Sequence, residues 1–122
     1  MTATSLTPVD DLVSIDVVTS GSSVRLTVTG EVDSSSAPAL RAALDTALAG
    51  GARELVVDLD RVTFLDSAGL CVLAAAHRRS DEQGFVLRVL ASTRAVTRPL
   101  QITGLWQLLA VEQVEPGEGS AA

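Results

Sequence analysis

Between residues 13 and 29 apolar and polar positions alternate: Val13, Ile15 and Val17 against Ser14 and Asp16, then Val24, Leu26 and Val28 against Arg25, Thr27 and Thr29. A period of two marks a strand with one buried face, and Thr19-Ser20-Gly21-Ser22 between the runs favours a turn. The region therefore predicts an antiparallel hairpin whose second strand ends at Gly30-Glu31-Val32-Asp33. The period then lengthens. Ser34, Ser35 and Ser36 are N-cap candidates, and Pro38 suits a first helical turn. Leu40, Ala43, Leu44, Ala47 and Leu48 form an apolar helical stripe that Gly50-Gly51 closes.

The run Leu55-Val56-Val57-Asp58-Leu59 is almost wholly apolar, as in a strand covered on both faces, and predicts a strand over 54–59. Leu70, Leu73, Ala74 and His77 recur at helical spacing, which predicts a helix from about Ser67 to Asp81. Residues 85–90 read as a further strand after the Gly84 break, and 93–103 as a shorter helix closed by Gly104. Pro99 inside that helix bends it or removes one hydrogen bond. Leu108 to Val111 offer a short edge strand. The order β-β-α-β-α-β-α, with an optional last strand, implies right-handed crossovers and parallel later strands. The fold class is α/β: a mixed four- to five-stranded sheet with an N-terminal antiparallel hairpin and helices mainly on one face. Residues 1–10 and 116–122 read as polar tails flanking one domain over 11–115.

Ser67 thus falls where a buried strand gives way to a helix, with free backbone N–H groups expected behind its hydroxyl. Such a position favours negative charge through unpaired donors and the helix dipole together. A phosphate could be added there without unfolding the protein. Ser67 accordingly reads as a switch, and the competing reading is a plain N-cap.

Composition narrows the chemistry. Hydrophobic residues make up 47% but aromatics only 2%, with no tyrosine, so the core is aliphatic and lacks stacking platforms for bases. A net charge of −6 with no basic stripe argues against nucleic acid and for a basic protein surface as partner. The arginines at 78, 79, 88, 94 and 98 read as solvated faces, and Trp106 as a half-exposed lid on the core. One cysteine, Cys71, excludes an internal disulfide and suits a reducing compartment; a small buried filler is the expectation for it. The N-terminal residues lack a secretory pattern and no apolar run reaches ~18 residues, so the expected location is cytoplasmic, with no membrane contact.

Catalysis finds little support. The sole histidine, His77, lies ten residues from Ser67 on one helix, roughly 15 Å at 1.5 Å per residue, beyond reach as a general base. Gly-x-Ser-x-Gly is missing, since position 65 is Leu. One His and one Cys cannot close a zinc shell, and Gly50-Gly51 lacks the Lys-Ser/Thr of a phosphate loop. No catalytic residue, metal or cofactor is expected.

From Gly30 to Val111 the chain resembles a STAS domain of the anti-sigma-factor-antagonist family. The resemblance rests on Gly30-Glu31-Val32-Asp33 and on Asp66-Ser67-Ala68-Gly69-Leu70, with a lesser echo over Val96 to Leu105. It implies a STAS fold and a bacterial, non-enzymatic regulator of transcription. It also implies that the serine after the aspartate is phosphorylated by an anti-sigma factor that is itself an ATP-using serine kinase. The unphosphorylated form binds that kinase and releases a sigma factor, the phosphorylated form lets go, and a phosphatase resets the switch. By position the acceptor is Ser67, and the partner-binding residues are Asp33, Asp66, Ser67, Ala68 and Gly69. Two departures stand out: Cys71 replaces the usual glycine, and the tail lacks the amphipathic closing helix of many members. The rival reading keeps the fold but makes the chain an unphosphorylated adaptor subunit of a transporter or lipid-trafficking complex.

Overall fold

The computed structural model describes residues 13–114, and the two alternating runs pair as predicted: β1 (Val13–Ser20) lies antiparallel to β2 (Ser23–Val32) in unbroken register. There follow α1 (Ala37–Ala49), β3 (Glu54–Leu65), α2 (Ser67–Gln83), β4 (Val86–Ala91), α3 (Arg94–Thr103), α4 (Leu105–Leu108) and β5 (Glu112–Gln113). The tails expected at 1–10 and 116–122, and the closing helix at issue there, lie outside the described residues.

The sheet runs β1-β2-β3-β4-β5, with every pair after the hairpin parallel. Because spatial order follows chain order, successive right-handed crossovers step in one direction and lay the helices on one face. Leu26, Leu55, Val57 and Val89 point to that face and share one core with Leu40, Leu73, Val96 and Leu100, all fully buried. Each such side chain contributes about 1.5–3 kcal/mol of apolar burial. Trp106 is partly buried against this core, as a lid. Pro99 sits inside α3 and deprives it of one backbone donor, and Gly104, at φ +82°, turns α3 into α4.

The opposite face carries ion pairs instead of helices. Arg25 reaches Asp58 at 2.7 Å across β2 and β3, and Arg88 binds Glu112 at 2.8 Å across β4 and β5. Two further arginines expected on solvated faces behave differently: Arg79 of α2 pairs with Asp45 of α1, whereas Arg78 is simply exposed.

Two expectations need correction. The third strand does not stop at 59 but continues to Leu65. Thr27 faces Asp58 and Thr29 faces Arg61, so β3 spends three residues where β2 spends two; a second extra residue falls between Val62 and Phe64. These bulges break the alternation that would betray a strand, while β2 keeps the segment paired. The edge strand expected at 108–111 is also displaced. Leu108 ends α4, Leu109 is buried, Ala110 adopts φ +50°, and only Glu112–Gln113 pair with β4. An apolar run of four is ambiguous between strand and helix, and packing of Leu105 and Leu109 onto the core settled it.

Candidate functional site

The parallel strands β2 and β3 end together, with Val32 opposite Leu65. The N–H of Asp66 donates to the Val32 carbonyl at 3.2 Å, so the two following turns leave the sheet side by side. Each begins Asp-Ser: Asp33-Ser34 after β2 and Asp66-Ser67 after β3.

In the first turn the Asp33 carboxylate accepts from the N–H and hydroxyl of Ser35, at 2.9 and 2.8 Å, and from the N–H of Ser36 at 3.1 Å. These bonds, those of Ser35 foremost, hold the Asp33 carboxyl below the usual carboxylate range. Ser36 is fully buried; its hydroxyl accepts from the Asp33 N–H at 2.9 Å and lies 2.7 Å from the Glu31 carbonyl. Asp33 therefore closes the turn ahead of α1.

In the second turn the capping residue is Asp66. Its side chain accepts from the N–H of Ala68 at 2.9 Å and, at 3.4 Å, from that of Gly69, while its carbonyl takes the N–H of Leu70. Ser67 is the first helical residue of α2 and is exposed, and its hydroxyl bonds to no described residue. The plain N-cap reading of Ser67 is thus excluded. Of the first-turn N–H groups expected behind that hydroxyl, Asp66 takes those of Ala68 and Gly69. What acts on Ser67 is the helix dipole, opposed by a carboxylate one residue away.

Gly69, expected on the docking surface, is buried instead. A Cβ there would lie 2.5 Å from Leu65 Cδ1 and 2.8 Å from Val32 Cγ1, so its role is the close approach of α2 to the strand ends. Ala68 is half-buried and lines a groove of about 380 Å³ between α1 and α2, walled by Pro38, Leu44, Val72 and the Arg79–Asp45 pair. Cys71, expected as a buried filler, is exposed on the wall of that groove. At four residues from Ser67 it shares the helix face of the serine and so turns away from the sheet.

The residue missed from sequence is Phe64, 47% exposed and paired with Glu31, three positions before Ser67. The strand bulge turns it out of the core, and beside the apolar Val62 and Leu65 nothing in the sequence signals this. His77, on the far part of α2, faces Asp81 at 3.8 Å. Among the described residues no group of three or more His, Cys, Asp or Glu could hold a metal ion, and no helix is long and apolar enough to cross a membrane.

The family model described as "Mlab, STAS domain" matches residues 15–110. The "Anti-sigma-F factor antagonist RsfB" of Mycobacterium tuberculosis is 33% identical over 95 residues, covering 78% of this chain and 77% of its own. The "Anti-sigma-B factor antagonist" of Bacillus subtilis is 29% identical over 105 residues, 86% of this chain and 95% of its own. The crystal structure of an anti-sigma factor antagonist from Mycobacterium paratuberculosis superposes with a TM-score of 0.76 at 31% identity, covering 87% of this chain and 88% of that one. The chain belongs to the STAS domain family, among the anti-sigma factor antagonists.

Proposed function

We propose that this protein is an anti-sigma factor antagonist that binds an anti-sigma factor serine kinase through the Asp33–Asp66–Ser67 end of the sheet, and that phosphorylation of Ser67 releases the kinase. The relatives' shared name supports the first half. The observation that carries the second is the division of labour at α2: Asp66 caps the helix, which leaves the Ser67 hydroxyl exposed and without a hydrogen-bond partner among the described residues. The chain supplies that hydroxyl and a docking surface. ATP and magnesium belong to the kinase.

A phosphate adds about −1.5 to −2 charges at neutral pH. Beside Asp66, with Asp33 on the neighbouring turn and Glu31 near the end of β2, that charge has no cationic neighbour in the turn to offset it. In solution water and salt screen the repulsion, and the domain stays folded. Under a docked partner the same charges are desolvated, and burying an unpaired charge costs about 2–5 kcal/mol, a ~30- to ~5000-fold loss of affinity.

The test uses the full chain, ATP and the anti-sigma factor kinase of the same cells. Wild type gains one phosphate on Ser67 by mass spectrometry and dissociates from the kinase. Ser67→Ala gains none and stays bound. A Ser67→Ala protein that still dissociates on ATP addition, or a phosphate that maps to Ser34, refutes the proposal. A wild-type chain that binds no such kinase and gains no phosphate returns the adaptor reading.

A further inference from the structure

The groove between α1 and α2 begins where the two Asp-Ser turns end. Ser34 of the first turn and Ala68, directly after the second, both line it, and it follows α2 as far as Arg79. Its volume of about 380 Å³ falls in the range of clefts that take a ligand, ~300–1,000 Å³. Leu44 and Val72 make its walls apolar, and the Arg79–Asp45 pair stands at the end away from Ser67. Cys71 is exposed on the α2 wall. It lies one helical turn from Ser67 on the same face, about 6 Å along the axis at 1.5 Å per residue. Whatever covers Ser67 from the helix side therefore meets Cys71 and the groove mouth.

Phosphoryl transfer needs the acceptor hydroxyl positioned in the kinase's own active site, so a kinase that modifies Ser67 must cover it. A specific interface covers about 800 Å² on each partner, a disc of roughly 16 Å radius. Centred on Ser67, such a disc takes in Cys71 and Ala75, the latter ~12 Å along α2. Asp33, Ser34, Asp66 and Ser67 themselves offer only polar contacts. On the helix side the groove is the apolar surface that adjoins them. Phe64 is also near Ser67, but with Leu65 turned to the core it points to the opposite, ion-paired face of the sheet.

We infer that the α1–α2 groove anchors the kinase: an apolar side chain from the rim of its active site enters between Leu44 and Val72 while Ser67 lies in that site, and Cys71 sets the width of the entrance. This rests on the kinase reading of Ser67 and adds to it the surface that positions the serine. Interfaces draw most of their affinity from a few buried anchors ringed by polar groups. Here Ser34, Asp66 and the Arg79–Asp45 pair form such a ring around an apolar cleft.

Cys71 is the one cysteine of the chain, so the entrance can be narrowed on the full protein without a substitution. Thiosulfonate reagents attach a methylthio or a benzylthio group to it as mixed disulfides that dithiothreitol removes. Binding to the anti-sigma factor kinase of the same cells is measured with ADP in place of ATP, which keeps Ser67 unmodified. The benzylthio group is expected to weaken binding about tenfold or more, the methylthio group less, with an unchanged thermal melt and full recovery in dithiothreitol. With ATP it raises the KM for phosphorylation of Ser67 by a similar factor. In the complex Cys71 reacts about tenfold or more slowly than in the free chain. A complex that phosphorylates Ser67 while Cys71 reacts at its free rate overturns the inference and leaves the proposed function standing, as does a benzylthio chain that binds undiminished. Loss of binding in Phe64→Ala with Cys71 still open moves the anchor to the ion-paired face and overturns it too. Slow reaction of Cys71 in the free chain gives the groove to another segment of the chain, or to a second copy if the slowing grows with concentration. An unmodified chain that binds no such kinase defeats the proposed function and this inference together.

Discussion

Two turns of this molecule start from the same dipeptide and end differently. After β2, Asp33 gathers the following serines: Ser35 and Ser36 both bond to its carboxylate, and Ser36 is sealed beneath the turn. After β3, Asp66 reaches past its neighbour to the N–H groups of Ala68 and Gly69, and Ser67 is left outside. One serine completes the fold and another is available for chemistry. The difference lies downstream of Asp-Ser: Ser-Ser supplies local donors that bind the first carboxylate, whereas Ala-Gly supplies only backbone, and the helix begins three residues earlier relative to the aspartate.

The comparison breaks most sharply with a pair of alanines. Ser36→Ala removes a buried hydroxyl that serves the Glu31 carbonyl and the Asp33 N–H, and is expected to cost about 1–3 kcal/mol in urea unfolding. Ser67→Ala should stay within about 0.5 kcal/mol of wild type. Equal effects would mean that the serines do not divide the work in this way.

Gly69→Ala tests whether α2 is held against the strand ends by contact. Overpacking against Val32 and Leu65 costs about 1–3 kcal/mol, offset by up to ~1 kcal/mol of helix propensity. A net loss of about 1 kcal/mol is expected, and a gain would show that the approach is loose. Asp66→Ala strips the cap of α2 and is expected to cost about 1 kcal/mol, with Asp66→Asn recovering most of it.

The smallest effect is in pH. The Asp33 carboxyl titrates lower in the folded protein than its ordinary value of 3.8. Its contribution to stability is therefore complete above that value and fades as pH falls through the lower folded one. Asp33→Asn should flatten the acid limb of the unfolding curve there and leave its neutral-pH slope unchanged.

Much of this was legible in the residues. The hairpin, the α1 stripe and the three glycine stops follow from periodicity and turn chemistry, which act over a few neighbouring positions. The extension of β3 did not, because Asp60 and Arg61 sit at bulges where alternation fails, and only pairing with β2 identifies the segment as strand. The exposure of Cys71 and the burial of Gly69 were hidden for a related reason. Both lie on α2, and the rotation of a helix about its axis decides which residue meets the core.

The order and composition of the residues were enough to specify an α/β domain of aliphatic core, a helix starting beside Ser67 and an acidic chain. Those are properties of local backbone preference and composition, and they survive without knowledge of any distant contact. The capping of α2 by Asp66, the burial of Ser36 and the outward turn of Phe64 belong to the folded chain alone. Each depends on segments far apart in sequence meeting at a given angle, and that angle is set by packing.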